Sequence, residues 1–142
     1  SGCGVLFLDL DGFKPINDEL GHQVGDEVLR EVGERLLETC RAEETVARLG
    51  GDEFVVALAD ARDANELAQR ILDRIRAPLR GAAAGFRLSA SIGVALWDAA
   101  TSEHIPTPAE MVAEADAAMY EAKRRGKDGI VHRIVVPAES SL

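Results

Sequence analysis

The sequence is poor in cysteine, in long apolar runs and in basic residues, and each shortage excludes a class of protein. The two cysteines, Cys3 and Cys40, have no metal-binding spacing. A disulfide between them is one alternative, and free thiols in a reducing cytosol are the favoured one. No apolar run approaches the ~20 residues of a membrane span, and no signal-peptide pattern is evident. We therefore expect a cytoplasmic domain without membrane insertion, in a parent protein that is either soluble or membrane-anchored.

The charge balance is acidic, with 16 Lys and Arg against 25 Asp and Glu and a formal net charge of −9. Such a field opposes binding to a nucleic acid polymer. It does not exclude one small anionic ligand, because a local cation and a metal ion override the global field. The 142 residues are 46% apolar and 29% charged, which is typical of one soluble globular domain with its own core.

Hydrophobic patterning predicts the element order β-α-α-β-β-α-β-α-β. This order favours an α/β (α+β) fold, with helices flanking one mixed, mostly antiparallel sheet around a ferredoxin-like β-α-β-β-α-β core. Two helix starts carry capping signals, at Asp63 and at Thr107-Pro108. Gly93, within a long strand, suggests a β-bulge. The predicted strands are 5–8, 45–49, 54–59, 86–96 and 130–136; the predicted helices are 14–20, 25–40, one from about 64 and one from about 108.

The segment RLGGDEF, residues 48–54, places two adjacent carboxylates at the bend of a predicted hairpin. A polar turn tip is the ordinary explanation, and a bound cation is the alternative. Asp9 ends the first strand, where α/β sheets often hold ligands. If that strand lies beside the hairpin, Asp9, Asp52 and Glu53 converge. Carboxylates with a backbone carbonyl suit Mg²⁺ or Mn²⁺, and such a site suits phosphoryl transfer.

Other polar residues have two interpretations each. Period-two alternation puts Asp11 on the same face as Asp9, so Asp11 is either a second ligand or a turn-shaping residue. The basic cluster 123–127 either complements the dipole of a helix C-terminus or, through Lys123 and Lys127, binds phosphates. Asn17 and Asp26, taken alone, are a cap and a helix-start acid.

Four segments together resemble the GGDEF domain family, the catalytic domain of diguanylate cyclases. They are 7–29 (FLDLDGFKPINDELGHQVGDEVL), 48–54, 91–95 (SIGVA) and 115–130 (ADAAMYEAKRRGKDGI). The resemblance covers nearly the whole chain, in order. It implies a palm-like fold akin to nucleotidyl cyclases and the reaction of two GTP to cyclic di-GMP and two pyrophosphates. In that reaction two protomers face each other, each holding one GTP, so a homodimer is expected.

The resemblance also implies roles for individual residues. Asp9 and Asp52 correspond to metal ligands assisted by the Leu10 carbonyl, and Glu53 supports the metal. Asp52 is also the candidate to activate the 3′-hydroxyl of GTP.

The substrate contacts follow from the same resemblance. Asn17 and Asp26 correspond to guanine readers, and an Asp carboxylate suits the guanine N1–H and N2 amine, which adenine does not offer. These two residues disfavour a palm enzyme with another nucleotide. The phosphates are expected to contact Gly12, Phe13, Lys14, Lys123 and Lys127.

Three departures from the family pattern shape the expectations. The family's N-terminal helix and its D-x-L-T-G-L-x-N-R motif are absent before the first strand. Members inhibited by product carry R-x-x-D where this chain has Arg41-Ala42-Glu43-Glu44, so Arg41 and Glu44 are a possible cyclic di-GMP inhibitory site or a plain surface pair. Lys127 stands where an arginine is usual, which keeps the charge but loses the bidentate fork.

The expected organisation is a GGDEF domain over residues 1–136 without its usual N-terminal helix, followed by a tail or linker start over 137–142. The resemblance places an upstream sensor, and in some architectures a downstream EAL phosphodiesterase domain, in the full protein. An active diguanylate cyclase is the leading hypothesis. The alternative is a catalytically silent, GTP-binding regulatory GGDEF module in a larger signalling protein.

Overall fold

The structure is a computed structural model that describes residues 2–100 and 102–137. Its element order is the predicted one. The strands are β1 (Gly2–Asp11), β2 (Thr45–Gly50), β3 (Glu53–Leu58), β4 (Ser89–Asp98) and β5 (Gly129–Ile134). The helices are α1 (Phe13–Leu20), α2 (His22–Thr39), α3 (Ala64–Arg76) and α4 (Pro108–Arg124), with short 3₁₀ turns at Ala61–Asp63 and Gly81–Ala83. Residues 138–142 of the predicted tail lie outside the described ranges.

One five-stranded sheet organises the domain, with strand order β2-β3-β1-β4-β5. The β2–β3, β3–β1 and β1–β4 pairs are antiparallel, and β4–β5 is parallel. The predicted mixed, mostly antiparallel sheet of an α+β fold is confirmed. The parallel pair is joined by α4, as a crossover between parallel strands requires. Because β1 is central, its carboxyl end lies beside the β2–β3 hairpin on one side and the start of β4 on the other.

Apolar side chains bury both faces of the sheet. The larger cluster lies against α1, α2 and α3 and contains Leu6, Leu8 and Leu10 from β1. The smaller one lies against α4 and contains Val5 and Phe7. Alternate residues of β1 therefore enter opposite layers, as a strand buried on both faces requires. Asp9 and Asp11 continue the row of Val5 and Phe7, beyond the apolar part of the α4 layer.

Helix α4 begins as its sequence predicts. The Thr107 hydroxyl accepts from the Glu110 amide, the Glu110 carboxylate accepts from the Thr107 amide, and Pro108 occupies the first turn. This capping box satisfies amides that have no partner within the helix. Within the described ranges, no helix combines the length and apolar character that a membrane span needs.

Two local predictions are wrong. Gly93 does not mark a bulge, since β4 pairs with β1 in unbroken register across it; instead, a Cβ there would lie 1.9 Å from the Ala115 carbonyl oxygen, because α4 packs directly on this position. The Asp63 side chain makes no capping hydrogen bond to α3. Its carboxylate faces Arg41 instead, at 3.4 Å.

Candidate active site

The predicted convergence of β1 with the hairpin is present. Asp9 lies opposite Glu53 in the β1–β3 register, so both side chains leave the same face of the sheet. The Leu10 amide donates to the Asp52 carbonyl at 3.2 Å, which ties the hairpin bend to the end of β1. A left-handed Gly51, with φ of 50°, makes this bend. Asp9 and Asp52 thereby come close enough for a side-chain interaction.

The electrostatics of Asp9 reflect this crowding. Burial, and next the neighbouring charge of Asp52, raise the pKa of Asp9 to about 6. Lys123 acts in the opposite direction, because its ammonium group lies 3.4 Å from Asp9 Oδ2. A cation placed between the two carboxylates would relieve their repulsion.

The donor set fits a hard divalent cation that keeps much of its own water. Asp9 and Asp52 supply carboxylate oxygens, which Mg²⁺ and Mn²⁺ prefer. Across residues 2–100 and 102–137, no three His, Cys, Asp or Glu side chains form a ready-made metal cluster, so Glu53 does not complete a three-carboxylate cage with the other two. Magnesium usually takes one or two carboxylates plus substrate phosphate and water, and the pair satisfies that pattern.

Asp11 has different surroundings from Asp9. Its Oδ1 accepts from Lys123 Nζ at 3.1 Å, while its Oδ2 accepts from Ser91 Oγ at 2.8 Å and from the Asp128 amide at 3.0 Å. Both oxygens of this carboxylate therefore accept hydrogen bonds from the protein, three in all among the described residues. Of the two roles open for Asp11 from the sequence, these contacts favour the structural one.

The N-terminus of α1 faces the same end of β1. Gly12 is its N-cap, in the left-handed region with φ of 91°, and makes no side-chain cap. A Cβ on Gly12 would also lie 2.6 Å from the Arg87 carbonyl oxygen. The first turn, beginning with Phe13 and Lys14, contains no acidic residue. Uncapped amides of this kind suit an anion such as a phosphate group.

The predicted guanine readers lie on the two consecutive helices α1 and α2. The Asn17 Oδ1 would lie 2.1 Å from a Cβ on Gly25, so the carboxamide rests against the residue that precedes Asp26. Asp26 is exposed and lies at a groove that Arg48 and Phe54 also line. The fold thus brings Asn17 close to the helical turn that carries Asp26.

The two predicted phosphate-binding lysines belong to the end of α4 and the turn after it. Burial alone would lower the pKa of Lys123, but its hydrogen bond to Asp11 and the charges of Asp9 and Asp11 raise it. Its ammonium group therefore stays charged beside the carboxylates. Lys127 is exposed, has a left-handed φ of 63°, and donates its amide to the Ala122 carbonyl at 3.0 Å.

The R-x-x-E segment forms a turn on the surface. The Arg41 amide donates to Glu44 Oε1 at 2.6 Å, and the Glu44 amide donates to the Arg41 carbonyl at 3.0 Å. The Arg41 guanidinium faces Asp63, not Glu44. Glu44 therefore caps the turn, and the Arg41 side chain extends away from it. Binding of cyclic di-GMP through Arg41 and Glu44 stays a prediction.

The sequence reasoning missed several residues that surround the predicted site. Ser91 is completely buried and donates to Asp11. Asp128 accepts at Oδ1 from Arg76 Nε at 2.8 Å and from the Ser89 hydroxyl. Ser91 lies in the SIGVA motif, so a serine inside an otherwise apolar strand was the available signal. Asp128 and Arg76 gave none, because 52 positions separate them.

Comparison with known proteins finds relatives that match most of this chain. The family described as diguanylate cyclase, GGDEF domain, matches residues 1–129. The bifunctional diguanylate cyclase/cyclic di-GMP phosphodiesterase MucR of Pseudomonas aeruginosa is 48% identical over 128 residues, which are 88% of this chain and 18% of MucR. The cyclic di-GMP phosphodiesterase PdeR of Escherichia coli is 39% identical over 126 residues, 87% of this chain and 18% of PdeR. The chain thus spans about a fifth of the length of each relative.

A solved structure gives the same result for the fold. The crystal structure of the GGDEF domain of TpbB (YfiN) from Pseudomonas aeruginosa has a TM-score of 0.82 and 41% sequence identity, and the match covers 92% of this chain and 81% of that one. A match of this extent in both sequence and fold leaves one family. The chain belongs to the GGDEF domain family, whose members include diguanylate cyclases.

Proposed function

We propose that this chain is the catalytic domain of a diguanylate cyclase, which joins two GTP molecules into cyclic di-GMP and releases two pyrophosphates. The observation that carries the proposal is the meeting of Asp9 and Asp52 beside a charged Lys123 and the uncapped N-terminus of α1. Paired carboxylates with nearby phosphate-binding groups suit phosphoryl transfer.

The proposed chemistry needs two protomers. The 3′-hydroxyl of one GTP attacks the α-phosphorus of the other, a phosphodiester bond forms, and the bond to pyrophosphate breaks. A second, symmetric step closes the ring. Asp52 is the candidate to accept the hydroxyl proton. Each protomer binds one nucleotide, so the facing homodimer supplies proximity and orientation.

The remaining residues bind and orient the nucleotide. A bound Mg²⁺ or Mn²⁺, held by Asp9 and Asp52 with the Leu10 carbonyl and supported by Glu53, would stabilise charge on the phosphates. Amides at Gly12, Phe13 and Lys14 bind the β- and γ-phosphates, and Lys123 and Lys127 neutralise them.

Guanine selectivity is assigned to Asn17 and Asp26. Asp26 accepts from guanine N1–H and the N2 amine, and an adenine ring has neither donor at those positions. The Asp26 carboxylate is exposed in the free chain, and a bound base would cover it. A base without these donors would leave the covered acceptor without a partner, which is costly, so the wrong base is rejected.

A second candidate is a regulatory module that binds GTP without turning it over and modulates an attached domain. The relation to PdeR favours keeping it, because that relative is named as a phosphodiesterase. An upstream sensor and, in some architectures, a downstream EAL domain would be the partners. The two candidates share the nucleotide site and differ in turnover.

The test is GTP turnover by this chain with Mg²⁺ over a range of protein concentrations, with the nucleotide products separated by ion exchange. We expect cyclic di-GMP and pyrophosphate, with a rate per protomer that rises with protein concentration because dimerisation is required. Asp52→Asn should abolish the product, and Asp116→Asn, an exposed change of the same charge, should not.

Each other outcome has a definite meaning. Wild-type turnover by Asp52→Asn would overturn the assignment of Asp52. GTP binding without product would favour the regulatory module. Absence of GTP binding would overturn both candidates.

A further inference from the structure

The turn that follows α4 has an unusual backbone. Lys127 and Asp128 are consecutive, neither is glycine, and both have a positive φ, 63° and 49°. L-residues adopt this region at a conformational cost, and such a pair persists only where surrounding contacts hold it. The turn also carries Lys127, one of the two lysines proposed to bind phosphates.

Asp11 is the group that holds this turn from the sheet. Its Oδ2 accepts the Asp128 amide at 3.0 Å, and its Oδ1 accepts Lys123 Nζ at 3.1 Å. The side chain of Asp11 is only 9% exposed, and the buried Ser91 hydroxyl fixes its orientation at 2.8 Å. One carboxylate therefore binds both the last turn of α4 and the turn beyond it.

The other contacts of the turn are made by the Asp128 side chain. Its carboxylate accepts from Arg76 and Ser89, and these hydrogen bonds hold the pKa of Asp128 below its usual range. The backbone amide and the side chain of Asp128 thus bind different residues, although Ser89 is itself the β4 neighbour of Asp11 in the sheet. Of these partners, only Asp11 also contacts Lys123.

We propose that Asp11 is a positioning residue and not a metal ligand. It holds Lys123 and the turn that carries Lys127 in the positions from which they contact the phosphates of the nucleoside triphosphate. The inference rests on the proposed function, since it assigns the two lysines to the β- and γ-phosphates. Both carboxylate oxygens of Asp11 already accept hydrogen bonds from the protein, whereas those of Asp9 face Asp52 and Lys123. The two acids of the D-L-D segment therefore have separate roles.

The test compares two nucleotides by titration calorimetry. The first is 3′-deoxy-GTP with Mg²⁺, which cannot attack a second nucleotide, and the second is GMP, which lacks the β- and γ-phosphates. Asp11→Asn should weaken 3′-deoxy-GTP binding about tenfold, the factor of one charge-assisted hydrogen bond. GMP affinity should stay within about twofold, because the base and ribose contacts are unchanged.

A double-mutant cycle tests whether Asp11 acts through Lys123. If it does, Asp11→Asn and Lys123→Ala together should weaken 3′-deoxy-GTP binding by clearly less than the product of the two single effects. Asp116→Asn, on the exposed face of α4, is the matched control and should bind both nucleotides as the wild type does. Thermal unfolding of each variant shows that it is folded.

Ser91→Ala is a second variant should Asp11→Asn fail to fold. It removes one hydrogen bond that orients the Asp11 carboxylate and should weaken 3′-deoxy-GTP binding by a smaller factor, again without effect on GMP. Three outcomes would each overturn this inference and leave the proposed function standing. The folded variants could bind 3′-deoxy-GTP as the wild type does, they could lose affinity equally for 3′-deoxy-GTP and GMP, or the effects of Asp11→Asn and Lys123→Ala could be independent. A wild type that binds neither nucleotide would overturn the proposed function, and this inference with it.

Discussion

Gly93 on β4 lies directly beneath the Ala115 carbonyl of α4, so close that a Cβ on Gly93 would come within 1.9 Å of that oxygen and 2.3 Å of the Met119 amide nitrogen. Because Gly93 has no side chain, α4 packs closer to the sheet here than any other residue would allow. Lys123 lies on the same helix, one turn beyond Met119, and its reach to Asp9 depends on that distance.

The first prediction is that Gly93→Ala lowers the free energy of unfolding by about 1–3 kcal/mol, because the added methyl forces α4 away from the sheet. Urea denaturation measures it. Gly33→Ala is the matched control: Gly33 is helical with open space around its Cα, so alanine there should stabilise by about 0.5–1 kcal/mol. A Gly93→Ala variant as stable as the wild type would contradict the close packing.

The second prediction concerns Arg35, which is buried and forms an ion pair with Glu31. Its guanidinium also donates to the carbonyls of Arg74, Ala77 and Pro78. Arg35→Met removes these hydrogen bonds and leaves the buried Glu31 carboxylate with the Arg80 amide at 3.2 Å and the exposed Arg80 guanidinium at 3.6 Å, without its close, buried ion-pair partner. We expect a loss of about 3–5 kcal/mol in the free energy of unfolding.

Urea denaturation of two further variants completes this test. Arg30→Met, at an exposed position of the same helix, should change stability by no more than about 0.5 kcal/mol. Adding Glu31→Gln to Arg35→Met should recover part of the loss, since the buried charge that Arg80 only partly compensates is then removed. No recovery would assign the effect to the carbonyl contacts alone.

The third prediction concerns base selectivity. Asp26→Ala should weaken GTP binding by about tenfold or more while leaving the weaker ATP binding nearly unchanged, because only guanine donates from N1 and N2 to the carboxylate. Calorimetric titration with each nucleotide measures both constants. Glu27→Ala removes the same charge from the neighbouring exposed position and should affect neither. Equal losses for GTP and ATP would remove Asp26 as a guanine reader.

The fourth prediction is a pH dependence of thiol reactivity. Burial, with a smaller effect of the Glu44 charge, raises the pKa of Cys40 to about 11, while a thiol in the unfolded chain keeps its ordinary, lower value. At pH 8 a pKa two units higher leaves about one hundredth as much thiolate, the form that reacts. Iodoacetamide should therefore alkylate Cys40 far more slowly in the native chain than in urea, as measured by mass spectrometry on Cys3→Ser.

The raised pKa of Cys40 also predicts the direction in which stability changes with pH. Because folding favours the neutral thiol, its contribution is complete below the unfolded pKa and is lost as the pH rises through the interval up to the folded pKa of about 11. The Cys40→Ala variant should lose less stability than the wild type as the pH rises above the ordinary thiol pKa of 9.0 towards the folded value. An equal pH dependence in both would contradict the burial effect.

Local signals in the sequence predicted most of the fold. The capping box at Thr107 placed the start of α4, and the continuous apolar run after Gly4 predicted a strand buried on both faces. The spacing of apolar residues, with a period of two in strands and 3.6 in helices, also predicted the element order. These features are readable because each depends on residues that are close in sequence.

The site was predictable only in part. Asp9 and the hairpin acids could be brought together by assuming that β1 pairs with the hairpin, and the register confirms that assumption. The role of Gly93 and the buried Arg35–Glu31 pair could not be predicted, because each depends on how elements pack in three dimensions. Asp63, read as a helix cap, instead faces an arginine from a distant loop, so tertiary contact overrode the local propensity.

The hydrogen bond from the Asp128 amide to Asp11 joins residues 117 positions apart, and it has a consequence for folding kinetics. Closing so long a loop is entropically expensive, and contacts at such separation slow the approach to the native state. On a ribosome, β1 would leave the exit tunnel long before its partner turn is synthesised. The face formed by Asp11, Lys123 and the turn at Asp128 would therefore be among the last parts of the domain to assemble, together with β5.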